Sequence, residues 1–133
     1  MTYAQSSSFL RRVLLIDAVI SGATGVMLIA GADLLQDWLA VPAMLARGAG
    51  LSLIPFALLV GYLATRRNMS RAGVWAVIVC NALWAVDSIL LLVGGLVSPT
   101  ALGTTFIVAQ ALAVAILAEL EYVGLRRSVV VPA

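Results

Sequence analysis

Four long apolar segments, separated by short polar stretches, dominate the chain. They cover about residues 12–30, 43–65, 73–94 and 101–124. Each approaches or exceeds the roughly 20 residues that a helix needs to cross about 30 Å of hydrocarbon. Because every backbone group in lipid must be paired internally, isolated segments of this length should be helices. The pattern predicts an all-α polytopic membrane protein, a bundle of four transmembrane helices that forms one membrane domain over residues 1–133.

The composition supports a lipid-embedded protein. The chain is 63% hydrophobic and 11% charged, with a mean hydropathy of +1.12. Soluble domains carry about 25% charged residues, so this chain has too little polar surface to cover a water-facing globule. Its net charge of +2 does not indicate nucleic acid, because the basic residues form no patch interleaved with aromatics. The lipid bilayer is the expected partner.

The basic residues predict the orientation in the membrane. Seven of the eight, all arginine, fall on one side in this topology: Arg11, Arg12, Arg66, Arg67, Arg71, Arg126 and Arg127. Arg47 is alone on the other side. The positive-inside rule then predicts that both termini are cytoplasmic. The Arg-only basic set and the lack of eukaryotic signals favour a bacterial inner membrane.

The first segment also has features of a signal peptide. It combines an arginine pair, an apolar run and the pattern Ala30-Gly31-Ala32. The run is too long for a typical signal peptide and is interrupted by Asp17, so a retained helix is favoured.

The residue inventory excludes much chemistry. The chain has no histidine and a single cysteine, Cys80. Haem ligated by two histidines, histidine-bound metals and Ser-His or Cys-His nucleophile pairs are therefore ruled out. No metal, no cofactor and no enzymatic activity is predicted. Cys80 is expected to be a small buried apolar residue.

Polar residues share one face of the third segment. At about 100° per residue, Asn81, Trp84, Asp87 and Ser88 fall within a single arc of the helix. With Gln110 of the fourth segment they form a candidate intramembrane polar site. Asp87 should face other helices, where it either pairs with Arg47 or water, or is protonated. An intramembrane carboxylate is a functional candidate by default. The alternative is a structural Asp87 that bonds Trp84 of a neighbouring chain, a serine or a glutamine and holds helices together.

A second group of charged residues should form a layer at the cytoplasmic rim. Its candidate members are Asp17, Glu119, Glu121, Arg12, Arg66, Arg67, Arg126 and Arg127. This layer has two possible roles. The favoured one is that its ion pairs only orient and anchor the helices, and the alternative is that the layer is functional.

Small residues and a proline mark the helix contacts. Ala18–Gly22 and Ser21–Gly25 in the first segment, and Ala57–Gly61 in the second, are spaced for close helix packing. Pro55 removes a backbone hydrogen bond to the carbonyl of Leu51 and predicts a kink. The kink serves either packing or a hinge.

A weak internal repeat relates the two halves. Sliding the first pair of segments over the second superposes Asp17 on Asn81 and Thr24 on Ser88. If this repeat is real, the bundle consists of two parallel helical-hairpin repeats.

The layout leaves two functional hypotheses. The four-span layout is similar to that of small bacterial families such as the DoxX-like proteins. In size the chain is similar to the small multidrug transporters, which carry one essential carboxylate in their first helix. Asp17 is not a glutamate and lies close to the arginines, so no role is transferred to it. The favoured hypothesis is an accessory or structural subunit that packs as a homo-oligomer or against a membrane protein partner. The alternative is a small proton-coupled carrier with Asp87 as its titrating group.

Overall fold

The chain folds into five helices and three short strands over the residues that the computed structural model describes, 2–5 and 7–132. The helices are α1 (Ser8–Ala30), α2 (Ala32–Leu39), α3 (Ala43–Thr65), α4 (Arg71–Val93) and α5 (Ala101–Arg127). All but α2 are long and apolar enough to span a membrane. A helix of 23 residues is about 34 Å long at about 1.5 Å per residue. The prediction of four long apolar helices, each able to span a membrane, is confirmed.

Polar caps decide where three of the long helices begin. The hydroxyls of Ser7, Ser70 and Thr100 each accept a hydrogen bond at 3.1 Å from the backbone N–H three residues on. Such caps satisfy one of the unpaired N–H groups at a helix start. As a result α1 begins four residues before its apolar run, and the arginine pair lies inside the helix.

The polar stretch after α1 forms the short helix α2. It ends at Ala40, whose φ of 56° is left-handed and stops the helix. Gln36 then accepts a hydrogen bond from the backbone N–H of Ala43 at 2.8 Å, which caps the start of α3. Trp38 is exposed on α2, as expected for a side chain at a membrane interface.

Three short strands, which the sequence analysis did not predict, accompany the helical bundle. They are β1 (Thr2–Gln5), β2 (Asn68–Ser70) and β3 (Val130–Pro132), paired antiparallel in the order β2-β1-β3. Segments this short show no sequence periodicity, and their pairing depends on backbone bonds between distant parts of the chain. The sheet joins both chain ends to the α3–α4 connection. We call this the basic end of the bundle, because the seven arginines of the predicted cytoplasmic side lie there.

The long helices pack as two hairpins. The first hairpin is α1 with α3, and the second is α4 with α5. In the first, the backbones approach so closely that a Cβ atom on Gly50 would lie 2.7 Å from the carbonyl oxygen of Gly25. A Cβ on Gly22 would lie 3.7 Å from that of Ala57. The small residues of α1 and α3 that are spaced for close packing, which we call the small-residue seams, therefore pack against each other inside the chain.

The buried apolar residues form two clusters separated along the bundle. The cluster at the basic end includes Leu14, Leu63, Val74, Val77 and Leu125. The cluster toward the opposite end includes Leu28, Leu39, Ala46, Leu53 and Ile107. The buried polar side chains, Asp17, Ser21, Asn81 and Glu121, lie between these two clusters.

Candidate functional site

A cavity of about 300 Å³ lies between the two hairpins, and all four long helices contribute to its wall. Most of the wall is apolar, and it includes the rings of Phe56 and Trp84. The polar residues on the wall are Ser21, Thr24, Ser52, Asn81, Asp87 and Gln110. Small-molecule sites are usually apolar clefts of about this size with a few placed polar groups. The cavity is therefore the candidate functional site.

A second cavity of about 260 Å³ adjoins the first, on the side away from the basic end. The two cavities share Thr24, Trp84, Asp87 and Gln110. Ser88 lines only the second. Asp87 thus lies where the two cavities meet, and it can reach a molecule in either one.

Trp84, Gln110 and Ser88 form one hydrogen-bonded network. Trp84 Nε1 donates to Gln110 Oε1 at 2.8 Å, and Gln110 Nε2 donates to Ser88 Oγ at 2.9 Å and to the Ile107 carbonyl at 2.8 Å. Ser88 Oγ donates to the Trp84 carbonyl at 2.7 Å. Both amide hydrogens of Gln110 are used, so the network holds the indole ring against the cavity and leaves no donor for Asp87.

Asp87 is exposed on the cavity wall. It makes no hydrogen bond and no ion pair with any residue that the structure describes. Arg47, its partner in one sequence-based alternative, instead binds Asp33 at 3.0 Å, and those two side chains are 49% and 84% exposed. The Asp87 carboxylate is therefore available to a bound molecule.

A second polar cluster is buried closer to the basic end. Ser21 Oγ donates to Asp17 Oδ1 at 2.9 Å. Asn81 Nδ2 donates both to Asp17 Oδ2 at 2.8 Å and to Glu121 Oε1 at 2.7 Å. Asp17 and Glu121 are 0% exposed and Asn81 is 3% exposed. The other carboxylate oxygen of Glu121, Oε2, is buried and has no hydrogen-bond partner among the described residues. We call these four residues the carboxylate cluster.

Six of the eight residues predicted for the charged rim lie exposed at the basic end: Arg12, Arg66, Arg67, Glu119, Arg126 and Arg127. The guanidinium groups of Arg66 and Arg126 lie over tyrosine rings, at 5.4 Å from the ring of Tyr62 and 5.8 Å from that of Tyr122. The structure does not bring Asp17 and Glu121 into this group. Their positions on α1 and α5 turn them toward Asn81 inside the bundle.

Two further sequence-based expectations concern the cavity wall. Cys80 is exposed and lines the larger cavity, so the expectation of a buried cysteine is wrong. Cys80 lies on α4 beside Asn81, on the side of the helix that faces the cavity, and so its thiol does not pack into a neighbouring helix. Pro55 lies within α3, next to Phe56 of the cavity wall.

The sequence contained signals for the carboxylate cluster. Asp17, Ser21 and Thr24 recur at helical spacing on one face of α1, and all three face the bundle interior. Gln110 and Glu121 are eleven residues apart, which places them on one face of α5. Asp17 and Glu121 are close to the arginines along the chain, but their side chains face the interior of the bundle, where both bind Asn81.

The described residues contain no group of three histidine, cysteine or acidic side chains that could hold a metal ion. Comparison of the chain with protein-family models, with curated proteins and with solved structures gives no match.

Proposed function

We propose that this protein is a small membrane carrier for an organic cation with an apolar body. The observation that supports this is the Asp87 carboxylate, unpaired, on the wall of a largely apolar cavity bounded by four membrane-length helices. On insertion scales, placing a carboxylate at a central position in the membrane costs about 2.5–3.5 kcal/mol of free energy. A bound cation would offset this expense.

The rest of the wall fits the same class of ligand. The Trp84 ring is held beside Asp87 by its bond to Gln110, and aromatic faces attract cations. The apolar wall accommodates the hydrocarbon part of the ligand. Asp87 is also the group that would take up a proton when the cation leaves, which couples transport to the proton gradient.

The proposed setting is the bacterial inner membrane, with both termini in the cytoplasm. The seven arginines at one end of the bundle support this orientation. In this setting Pro55, next to the cavity wall, is the place where α3 can bend during transport.

An accessory subunit that packs against itself or a membrane protein partner is the alternative. Such a subunit needs a surface suited to close helix contact. Gly22 and Gly25 of α1 instead face Ala57 and Gly50 of α3 within the same chain. Because these seams are already occupied, the structure favours the carrier. The mass of the particle extracted in native nanodiscs tests the alternative: a stoichiometric second protein would replace the carrier proposal.

Ligand binding can be tested through Cys80, the single thiol of the chain, which lies on the cavity wall. The probe is phenyltrimethylammonium, a compact aromatic cation, and tert-butylbenzene is its neutral counterpart of the same shape. The cation should slow alkylation of Cys80 by a maleimide in nanodiscs, and the neutral compound should do so at least about tenfold less effectively, a difference of about 1.4 kcal/mol.

Asp87→Asn should lose this preference for the cation by a similar factor, and it should lose pH-dependent flux in proteoliposomes while still folding. Asp37→Asn makes the same chemical change on the exposed face of α2 and should keep both. Equal protection by the charged and neutral probes, or unchanged flux and pH response in Asp87→Asn, would refute the proposal.

A further inference from the structure

The carboxylate cluster contains a buried oxygen that has no partner. Glu121 Oε2 is fully enclosed and receives no hydrogen bond from the described residues, while Oε1 is bonded to Asn81. Buried polar atoms are nearly always paired, so an unpaired one needs an explanation. The carboxylate of Asp17 accepts from the same Asn81 nitrogen as Glu121, so a proton on either carboxylate can form a hydrogen bond between the two.

We propose that the carboxylate cluster is a one-proton site, in which Asp17 and Glu121 share a single proton beside Asn81 and exchange it through the cavity. Two carboxylates this close repel each other when both are charged, and one proton between them removes that repulsion. The proton also supplies the missing bond, because a protonated Oε2 can donate to Asp17. The cluster then has one negative charge rather than two.

The orientation of Asn81 favours a proton over a metal cation. Its Nδ2 group directs its hydrogens toward both carboxylates, at 2.8 and 2.7 Å. Amide hydrogens carry partial positive charge and would repel a sodium ion at that point. A cation site would need the carbonyl oxygen of Asn81 to face the carboxylates instead.

Within the carboxylate cluster, the contacts of the two carboxylates come from acidic and neutral side chains of the described residues. Around Glu121, α1 contributes Asp17 and Ser21, and α4 contributes the neutral Asn81. At this level α3 meets α1 through Gly61, where a Cβ would lie 3.8 Å from Ala18. Among these neighbours the acidic charges of Asp17 and Glu121 have no basic counterpart.

The surroundings of the cluster give its proton one way in and out. One turn closer to the basic end, Leu14, Val77 and Leu125 are almost completely buried and close that side. On the other side, Ser21 and Asn81 both line the cavity. The Ser21 hydroxyl, bonded to Asp17, can relay a proton to water in the cavity, whereas the apolar cluster cannot.

The presence of the proton can be read by infrared spectroscopy of the full chain in nanodiscs at neutral pH, with no ligand added. The wild type should show the C=O band of one protonated carboxyl group in the cluster. Ligand-free Asp87 also carries a proton under the proposed function, so its band is identified first as the one that Asp87→Asn removes, and the cluster band is the one that remains. Glu121→Gln imitates a protonated Glu121 and keeps a donor toward Asp17, so it should fold and lose the band. Glu119→Gln makes the same change two residues away on an exposed position and should keep it.

Three results would overturn the one-proton site: absence of the band in the wild type, its persistence in Glu121→Gln, and its loss when sodium is added to a sodium-free sample. The role of the site in transport rests on the proposed function, but the band is measured without ligand. A protein that binds no phenyltrimethylammonium and yet shows the band would refute only the carrier proposal.

The route through the cavity has its own test. A bulky maleimide on Cys80 should fill the cavity and slow the hydrogen–deuterium shift of the carboxyl band at least about tenfold. Cys80→Ala treated with the same reagent should exchange as fast as the untreated wild type. An unchanged exchange rate in the labelled wild type would overturn the cavity route.

Discussion

Replacing Asn81 with leucine should destabilise the bundle more than a single hydrogen bond would suggest. The amide bonds Asp17 of the first hairpin and Glu121 of the second, at 2.8 and 2.7 Å, and is 3% exposed. Leucine has a similar size and suits an apolar interior, so the change removes the bonds without leaving a large void. What remains is a pair of buried carboxyl groups with no donor from α4.

The size of the expected loss in unfolding free energy follows from the charge of the two carboxyl groups that accept hydrogen bonds from Asn81. With one proton shared between the carboxyl groups, Asn81 bonds one charged and one neutral group. Hydrogen bonds inside membrane proteins average about 0.6 kcal/mol, and bonds to charged groups reach about 1.5–3 kcal/mol, so Asn81→Leu should lose about 2–3.5 kcal/mol. A loss of about 2 kcal/mol corresponds to roughly a thirtyfold change in the unfolding equilibrium.

Reversible unfolding in mixed micelles, followed by tryptophan fluorescence, measures this difference. Thr105→Val is the control, because Thr105 is exposed and bonds only the carbonyl of Ala101, one turn away in α5. This control should change the free energy of unfolding by less than about 0.6 kcal/mol. If Asn81→Leu is no more destabilising than Thr105→Val, the cluster does not hold the two hairpins together.

Two further substitutions probe the packing of the hairpins and the network on the cavity wall. Gly50→Ala would place a Cβ 2.7 Å from the carbonyl oxygen of Gly25 and should lower the unfolding free energy by about 1–3 kcal/mol. Gly48→Ala is the control, because its Cβ would have nothing within 4 Å, and it should not destabilise the protein. Thermal unfolding compares the two, and equal melting temperatures would contradict the close contact of α1 with α3. Trp84→Phe removes the donor to Gln110 Oε1 and should cost about 1 kcal/mol in the same assay, while an unchanged melting temperature would show that the bond contributes nothing.

The spans were predictable because hydrocarbon imposes a length and an internal pairing of the backbone. The predicted segment 43–65 coincides with α3, and the others differ from the observed helices by a few residues at their ends. Those differences come from caps such as Ser7, which act outside the apolar run. The three-stranded sheet was not predictable, because its strands of three or four residues pair across the whole length of the chain.

The interior face of α4 was predictable from helical geometry. On the side of α4 opposite the polar residues, Val79, Val86 and Leu90 are exposed, although Ile78 on that side is buried. Asn81 and Asp87 line the cavity. A wheel describes one helix at a time, and it cannot state which residues of other helices meet that face. The bond from Asn81 to Asp17 depends on the relative height of α1 and α4, which the packing of whole hairpins decides.

The positions of the two polar groups suggest how a proton and a cation would act on one another. Trp84, Gln110 and Ser88 are bonded within the second hairpin, so they can move with it as a unit. The bond between Asn81 and Asp17, in contrast, joins the two hairpins inside the apolar region. Loss of the shared proton would leave two negative charges at this junction and weaken the contact of the hairpins, beside the cavity that lies between them. A cation bound at Asp87 would offset part of that charge, so the proposed ligand and the proposed proton would each change how readily the hairpins separate.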